Sequence, residues 1–372
     1  MSYLVSVVIP TKDRYKYLKH LIRTIKSFEL EEIEVVVQDN TEDNSEIVDF
    51  LDDLNYHNCH YYHETGFIPM SDNADKAILH SNGEYVCFLG DDDGICPNVV
   101  EWAHYMSKKG IGALRSNLPA YIWPDAISIS EDAKGTLSFN QLKPIEIVLQ
   151  SQNVILDVFK RGFMDRGDLP SVYHGLVSRK VLDVVYNKCN TFFPGQSPDI
   201  SNGIAVALVL ESFVKTNSII TISGISKYHG GKVKGINVKY PTIGDMKWFR
   251  PGAEEMWDKR LPRMAGGCTI WAESAIETLR NMGRPELIDL IDFEAIYKNY
   301  VTYYFPVRKL AYPLSKNKSL AVYATLSFIR RVLVALRRRL YAMFGITKKG
   351  EVCIHGPRNI EQCILILSKH QK

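Results

Sequence analysis

The sequence lacks the usual signatures of phosphate binding. No GxGxxG follows its first apolar run and no Walker A motif occurs, so neither a dinucleotide fingerprint nor a P-loop is available. The N-terminus carries no basic leader or small-residue cleavage site, and its apolar stretch stops at Pro10, which speaks against a signal peptide. The uncharged run 319–329 is too short to cross a bilayer, which takes about 20 apolar residues. The 7 cysteines are odd in number and contain no CxxC pair, so a disulfide framework is not expected and a reduced, cytosolic protein is. Cys353, His355 and Cys363 could be combined as zinc ligands, but buried free thiols suit their spacing better. No internal repeat or low-complexity tract occurs. The formal net charge of +3 says little as a total, but acids cluster early and Lys and Arg crowd near the end. At 372 residues, the chain has room for one large domain with an appendage, or for two domains.

The most informative stretch is 83–97. Tyr85, Val86, Cys87, Phe88 and Leu89 form an apolar run of the kind buried on both faces of a sheet. Gly90 ends the run, and Asp91, Asp92 and Asp93 follow at once. Burying an unpaired charge costs several kcal/mol, so these carboxylates must meet water, a cation or both. In open α/β sheets, ligands bind beyond the carboxyl ends of strands, which is where the acids fall. Clustered carboxylate oxygens suit a hard divalent cation, and a solvated acidic turn is the plainer reading.

The preceding chain alternates between strand and helix patterns. Strands are predicted at 4–9, 33–38 and 59–63, with helices at 15–28 and from Asn44 or Ser45 to 54. That alternation predicts a doubly wound, mostly parallel sheet. Asp39 lies at the carboxyl end of the second strand, where a carboxylate can accept from a base N–H or a ribose hydroxyl, or can serve as an ordinary turn Asp. A helix over 72–80 places Ala74, Ala77 and Ile78 on one face, and Lys76 either approaches a diphosphate or stays in solvent.

The ordered set Pro10-Thr11-x-Asp13-Arg14, Asp39-Asn40, Asp72-Asn73-x-x-x-Ala77-Ile78 and Gly83-Glu84-Tyr85-Val86-x-Phe88-Leu89-Gly90-Asp91-Asp92-Asp93-Gly94-x-x-Pro97 resembles family 2 glycosyltransferases of GT-A fold. It looks especially like the bacterial enzymes of O-antigen and capsule synthesis. The likeness spans about 3–98 and continues weakly to about 231. It implies an α/β, Rossmann-like, mostly parallel sheet flanked by helices, and an inverting transfer from a nucleotide diphosphate sugar, with UDP as the expected base. It places Pro10, Thr11, Arg14, Asn73 and Lys76 around the nucleotide and Asp39 on the uracil or ribose. The family's acidic motif often reads Asp-x-Asp-Asp, and Gly90 stands at its first position here. Asp91 would then take the ribose role and Asp93 the metal, or Asp92 would be the main ligand of Mn²⁺ or Mg²⁺ with Asp91 and Asp93 in support.

Helices are predicted at 98–108 and 151–163, and strands at 114–122, 172–178 and 219–224, with His174 either an active-site or a structural histidine. Asp199 precedes a helical run over 200–213, where the helix dipole favours a negative charge. Family order makes it the candidate catalytic base, ahead of Asp183 and Glu211, although Pro198 stands where the family often has Glu. The stretch 226–234 is rich in Gly, Lys and aromatics and forms either a loop over the diphosphate or a plain turn, with His229 a candidate ligand of metal or phosphate. Trp248, Trp257 and Trp271 are expected to fill core.

Helices are expected over 258–283 and 285–300. Within 319–344, Ile329, Leu333, Leu336, Leu340 and Phe344 mark one helical face, and Arg330, Arg331, Arg337 and Arg338 occupy another. This basic amphipathic helix either lies on an anionic membrane surface or packs on the catalytic domain. No nucleic-acid module accompanies the arginines. The expected organisation is a catalytic domain over 1–235, with its nucleotide-sugar half to about 98 and its acceptor half beyond, followed by a mainly helical region over 236–372. The expected protein is a metal-dependent hexosyl- or N-acetylhexosaminyltransferase acting on a saccharide or lipid-linked saccharide, cytoplasmic or peripheral at the inner membrane face. The alternative is a non-catalytic GT-A-like module that binds nucleotide or polysaccharide. A nucleotidyltransferase would want a Gly-rich basic loop after the first strand, which 11–17 does not supply.

Overall fold

A computed structural model describes residues 3–127, 129–140, 143, 145–227, 240–343 and 351–370. The N-terminal half runs β1 (Val5–Thr11), α1 (Tyr15–Lys26), β2 (Ile33–Asp39), α2 (Ser45–Leu54), β3 (Cys59–His63), α3 (Met70–Leu79), β4 (Tyr85–Phe88), β5 (Gly94–Ile95) and α4 (Val99–Lys109). Next come β6 (Ala113–Asn117), β7 (Ala120–Ile122), β8 (Thr136–Asn140), β9 (Glu146–Gln150), α5 (Ser151–Lys160), β10 (Gly175–Ser178), α6 (Arg179–Cys189), α7 (Pro198–Val209), β11 (Ser212–Ile219) and β12 (Thr221–Ile225). The C-terminal part holds α8 (Ala253–Met256), α9 (Gly267–Asn281), α10 (Phe293–Tyr303), α11 (Leu320–Met343), β13 (Glu351–His355) and α12 (Ile360–His370).

The result is the expected α/β architecture, a sheet flanked by helices with a helical C-terminal region. An eight-stranded sheet has the order β3-β2-β1-β4-β10-β6-β11-β9. β1, β2, β3 and β4 pair in parallel, as the apolar, β-branched runs require when helices cover both faces. β10 then enters antiparallel between β4 and β6, which makes the sheet mixed. β1 and β2 bury nearly every residue, and α1 closes one face with Leu18, Leu21, Ile22 and Ile25. The strand order reverses between β1 and β4, so their carboxyl ends form the crevice in which this architecture places ligands.

A second, five-stranded sheet has the order β13-β8-β7-β12-β5. It starts from β5, the short strand directly after the acid triplet, and is covered by α12 through Ile360, Cys363, Ile364 and Leu367. The expected strand over 114–122 divides between the two sheets, because the chain turns at Pro119 and β7 pairs with β12 and β8 instead. The helix expected over 200–213 ends at Val209. Leu210 is already extended, and Phe213 and Val214 pair with β9, with Val214 also on β6. All 7 cysteines are free. Trp257 is buried in the core and Trp248 and Trp271 pack against it, so tryptophan fills volume here as expected.

Candidate functional site

The site begins where β1 ends. Thr11 Oγ1 donates to Asp91 Oδ2 at 2.8 Å. Asp13 takes a left-handed turn at φ 57°, and its N–H donates to Thr41 Oγ1 at 2.8 Å. That turn sets Arg14 at the start of α1 with its side chain directed at the triplet. Arg14 Nε lies 2.9 Å from Asp91 Oδ1 and one terminal nitrogen lies 2.6 Å from Asp92 Oδ2. The same nitrogen donates to Ser226 Oγ at 2.8 Å. The sequence-predicted trio of Thr11, Arg14 and Asp91 is therefore one bonded group.

Each acid of the triplet is held differently. The Asp92 carboxylate also accepts from the Ser226 N–H at 3.2 Å, and its backbone carbonyl accepts from Trp123 Nε1 at 2.9 Å. Asp93 turns inward and accepts from the N–H groups of Gly90 at 2.7 Å and Gly224 at 2.8 Å. His174 Nε2 lies 3.4 Å from the same carboxylate, in a pair that is almost wholly buried. Two glycines make this packing possible. A Cβ on Gly224 would sit 1.8 Å from the Asp92 carbonyl oxygen, and one on Gly90 would press on the Asp92 and Asp93 carboxylates at 3.2 and 3.1 Å. Gly90, the departure from the family pattern, thus leaves room for Asp93 to fold back over it.

Burial pushes the Asp91 carboxyl up, with Arg14 pulling it back and Asp92 adding to the rise. Asp93 is raised well above the ordinary range by burial and then by Asp92, against the pull of the two N–H groups. Burial works against the Arg14 charge, but Asp91 and Asp92 outweigh it and the guanidinium is held more firmly protonated than usual. Arg14 thus bridges Asp91 and Asp92 directly and acts on Asp93 from a greater distance.

Asp39 forms a second cluster at the end of β2. Its Oδ1 accepts from the Thr41 N–H at 2.9 Å and Thr41 Oγ1 at 2.6 Å. Its Oδ2 accepts from the hydroxyls of Tyr15 at 2.6 Å and Tyr61 at 2.7 Å. Burial, then the bond to Asp39, raises both phenols, so they remain donors. Beside it, Asn73 Nδ2 donates to the Gln38 carbonyl and to Asn40 Oδ1, each at 3.3 Å. Asn73 Oδ1 and Gln38 Oε1 are buried acceptors with no protein donor among the described residues. Pro10 sits beside Gln38 in the β1–β2 register. Lys76 is engaged by Glu64 at the surface, where Glu64 follows directly on the end of β3.

Asp199 is the second residue of α7. Its Oδ1 accepts from Ser197 Oγ at 2.5 Å and the Ile200 N–H at 2.9 Å. No protein hydrogen bond among the described residues reaches its other oxygen. Burial raises the nearby Tyr173 hydroxyl most, with Asp93 and Asp92 adding to the rise, Arg166 opposing it and Asp199 contributing least. The neighbouring His174 holds a left-handed backbone at φ 62°, an uncommon conformation for a side-chain-bearing residue. His229 lies outside the described residues.

The structure thus brings Thr11, Arg14, Asp39, Asn73, Asp91, Asp92 and Asp93 to the carboxyl ends of β1, β2 and β4. Sequence reasoning missed Tyr15, Tyr61, Tyr173 and Ser226. Tyr15 and Tyr61 carried one available signal, since each falls within a few residues of a strand end on a neighbouring element.

Among the described residues no group of three His, Cys, Asp or Glu side chains is arranged to hold a metal ion. The donors fit a smaller part in such a site. No hydrogen bond among them reaches Asp92 Oδ1, and Mg²⁺-type ions are commonly held by one or two carboxylates plus substrate phosphates.

This fold and site define an acid-lined crevice at the strand ends of an α/β sheet. The model of the family described as glycosyl transferase family 2 matches residues 6–102. S. aureus TarS 1–349 in complex with UDP-GlcNAc aligns at TM-score 0.47 and 13% identity, over 88% of this chain and 91% of that one. The same fragment in complex with UDP aligns at 0.43 and 13% identity, over 82% and 92%. A longer S. aureus TarS structure aligns at 0.43 and 15% identity over 60% of this chain, and this chain spans only 37% of its length. No curated protein matches the sequence.

Proposed function

We propose that the protein is a glycosyltransferase that moves a sugar from a nucleotide diphosphate sugar, with UDP as base, to a hydroxyl of a saccharide or lipid-linked saccharide, inverting the anomeric centre. The observation that carries this reading is the convergence of Arg14, Asp39, Asn73 and Asp91–Asp93 on the crevice between β1, β2 and β4, within the stretch that matches the family. Asn73 Oδ1 and Gln38 Oε1 offer unpaired acceptors for nucleotide N–H or hydroxyl groups. Asp39 follows Gln38 directly at the end of β2.

Arg14 has a chemical part in the transfer. As the anomeric C–O bond breaks, charge develops on the departing diphosphate, and a guanidinium already fixed in place stabilises it without reorganisation. A Mn²⁺ or Mg²⁺ ion held by Asp92, with Asp93 behind it, would supply Lewis-acid stabilisation of the same charge. Asp199 accepts the acceptor's hydroxyl proton at its unpaired oxygen while the acceptor oxygen bonds to the anomeric carbon from the face opposite the departing diphosphate. Synthesis of a surface polysaccharide such as O-antigen or capsule, at the cytoplasmic face, is the setting this chemistry suits.

A thermal-shift panel of nucleoside diphosphates and nucleotide sugars, with and without Mn²⁺, tests the reading. A ligand at 100 times its Kd stabilises by about 2.7 kcal/mol. UDP and one UDP-sugar should shift the melting temperature, more so with Mn²⁺. Response to GDP or a CMP-sugar would correct the base, and silence towards every nucleotide would refute the enzyme. Asp199→Asn should keep the donor shift and slow turnover about 10²-fold or more; loss of donor binding instead would remove it as the base.

A further inference from the structure

Between residues 295 and 350 the sequence holds 12 Lys and Arg and no Asp or Glu, which leaves the rest of the chain net acidic. The same stretch carries 12 of the 25 exposed large apolar side chains among the described residues, too many for an idle surface. α11 concentrates both. Its first turns are anchored: Leu320 and Ala324 are buried against α10, and Arg331 donates to the Thr302 carbonyl at 2.6 Å. At 100° per residue those positions mark the inner face. Val322, Leu326, Ile329, Leu333, Leu336 and Leu340 follow at intervals of four and three, on the opposite face, and each is exposed by 49% or more. Arg330 and Arg337, also exposed, flank that stripe along one edge.

We infer that α11 docks the protein on an anionic lipid bilayer, with the outer stripe in the acyl boundary and the arginines among the headgroups. No helix among the described residues is long and apolar enough to cross a membrane, so the helix lies in the surface plane. Charge decides the occupant. The four-three spacing would also suit a coiled coil with a second copy, but such pairing wants acids to meet the flanking arginines, and a second α11 brings more arginine and no acid. A negative leaflet supplies the missing charge, at about 1 kcal/mol for each basic residue near the surface.

The test is flotation of the full chain with vesicles of phosphatidylcholine alone and with about one-third phosphatidylglycerol. The inference rests on α11 and not on the donor site, so the UDP thermal shift is followed in parallel. The protein should float with the anionic vesicles, and rising salt should release it as the Debye length shrinks. R330S/R337S should weaken that binding about 30-fold, and L326E/L333E should abolish it, with melting temperature and UDP response unchanged in both. Failure of the wild-type chain to float, equal binding to both vesicle types, or undiminished binding by L326E/L333E would overturn the inference. So would light scattering that shows a dimer dissolved by L326E/L333E, because the stripe would then be covered by a second copy.

Discussion

Asp39 and the Asp91–Asp93 triplet are both buried acids at neighbouring strand ends, yet they are stabilised in different ways. Asp39 is surrounded by four neutral donors from Thr41, Tyr15 and Tyr61. The triplet relies on a guanidinium, the Thr11 hydroxyl, three backbone N–H groups and one histidine. Dipoles fix a carboxylate without cancelling its charge, whereas a cation cancels it and leaves the site dependent on one residue. The first arrangement fills the carboxylate's acceptor sites with the protein's own donors and fixes it as part of the scaffold. The second suits a site where negative charge must be received and released.

The largest effect should come from Asp92→Asn. It leaves Arg14 and Ser226 in place, so the melting temperature should hold while transfer falls by about 10³-fold or more; a radiochemical or UDP-release assay near wild-type rate would break the contrast at its active member. Arg14→Ala comes next and acts on the fold itself. Stripping the cation from buried acids should cost about 3–5 kcal/mol in urea unfolding.

The same variant sharpens the pH behaviour. Asp93 in the folded chain keeps its proton above the ordinary carboxylate range, so the native state binds more protons than the unfolded one there. Ligand-free stability should therefore fall as pH rises through and beyond that range. The fall should be steeper in Arg14→Ala, and melting curves at pH 5 and pH 8 measure it. A rise in stability over this interval would contradict the burial argument. Asp39→Asn strands hydroxyls but no cation, and should cost about 1–3 kcal/mol with a weaker UDP shift. Tyr61→Phe is the mildest, at about 1 kcal/mol. An Asp39→Asn loss as large as that of Arg14→Ala would show that the two clusters are not distinct in kind.

The strand-end positions were legible because β1–β4 obey short-range rules. Apolar runs, polar turns and one-sided helices follow one another without interruption, and β3 has the predicted bounds of Cys59–His63. The pairing of Arg14 with Asp91 and Asp92 was not legible, since it depends on the left-handed turn at Asp13. Nor was the contribution of Gly224 and Ser226, which reach the acids from more than 130 residues away. β11 was hidden because its half-buried alternation continues the apolar content of α7 without a Gly or Pro between them. Antiparallel β10, inserted between β4 and β6, likewise follows from long-range pairing that periodicity does not encode.

One feature of the second sheet bears on how the protein is made. β5, next to the acid triplet, is covered by α12, and β13 closes the far edge of the same sheet on β8. Chains emerge from synthesis N-terminus first, so α12 is made after every other element that shapes this crevice. Until then Cys96, Ile222 and their neighbours lack their cover, and the acid-bearing turn rests on an unfinished layer. The turn that carries Asp91, Asp92 and Asp93 therefore gains its last layer of support from the segment of this sheet that is made last.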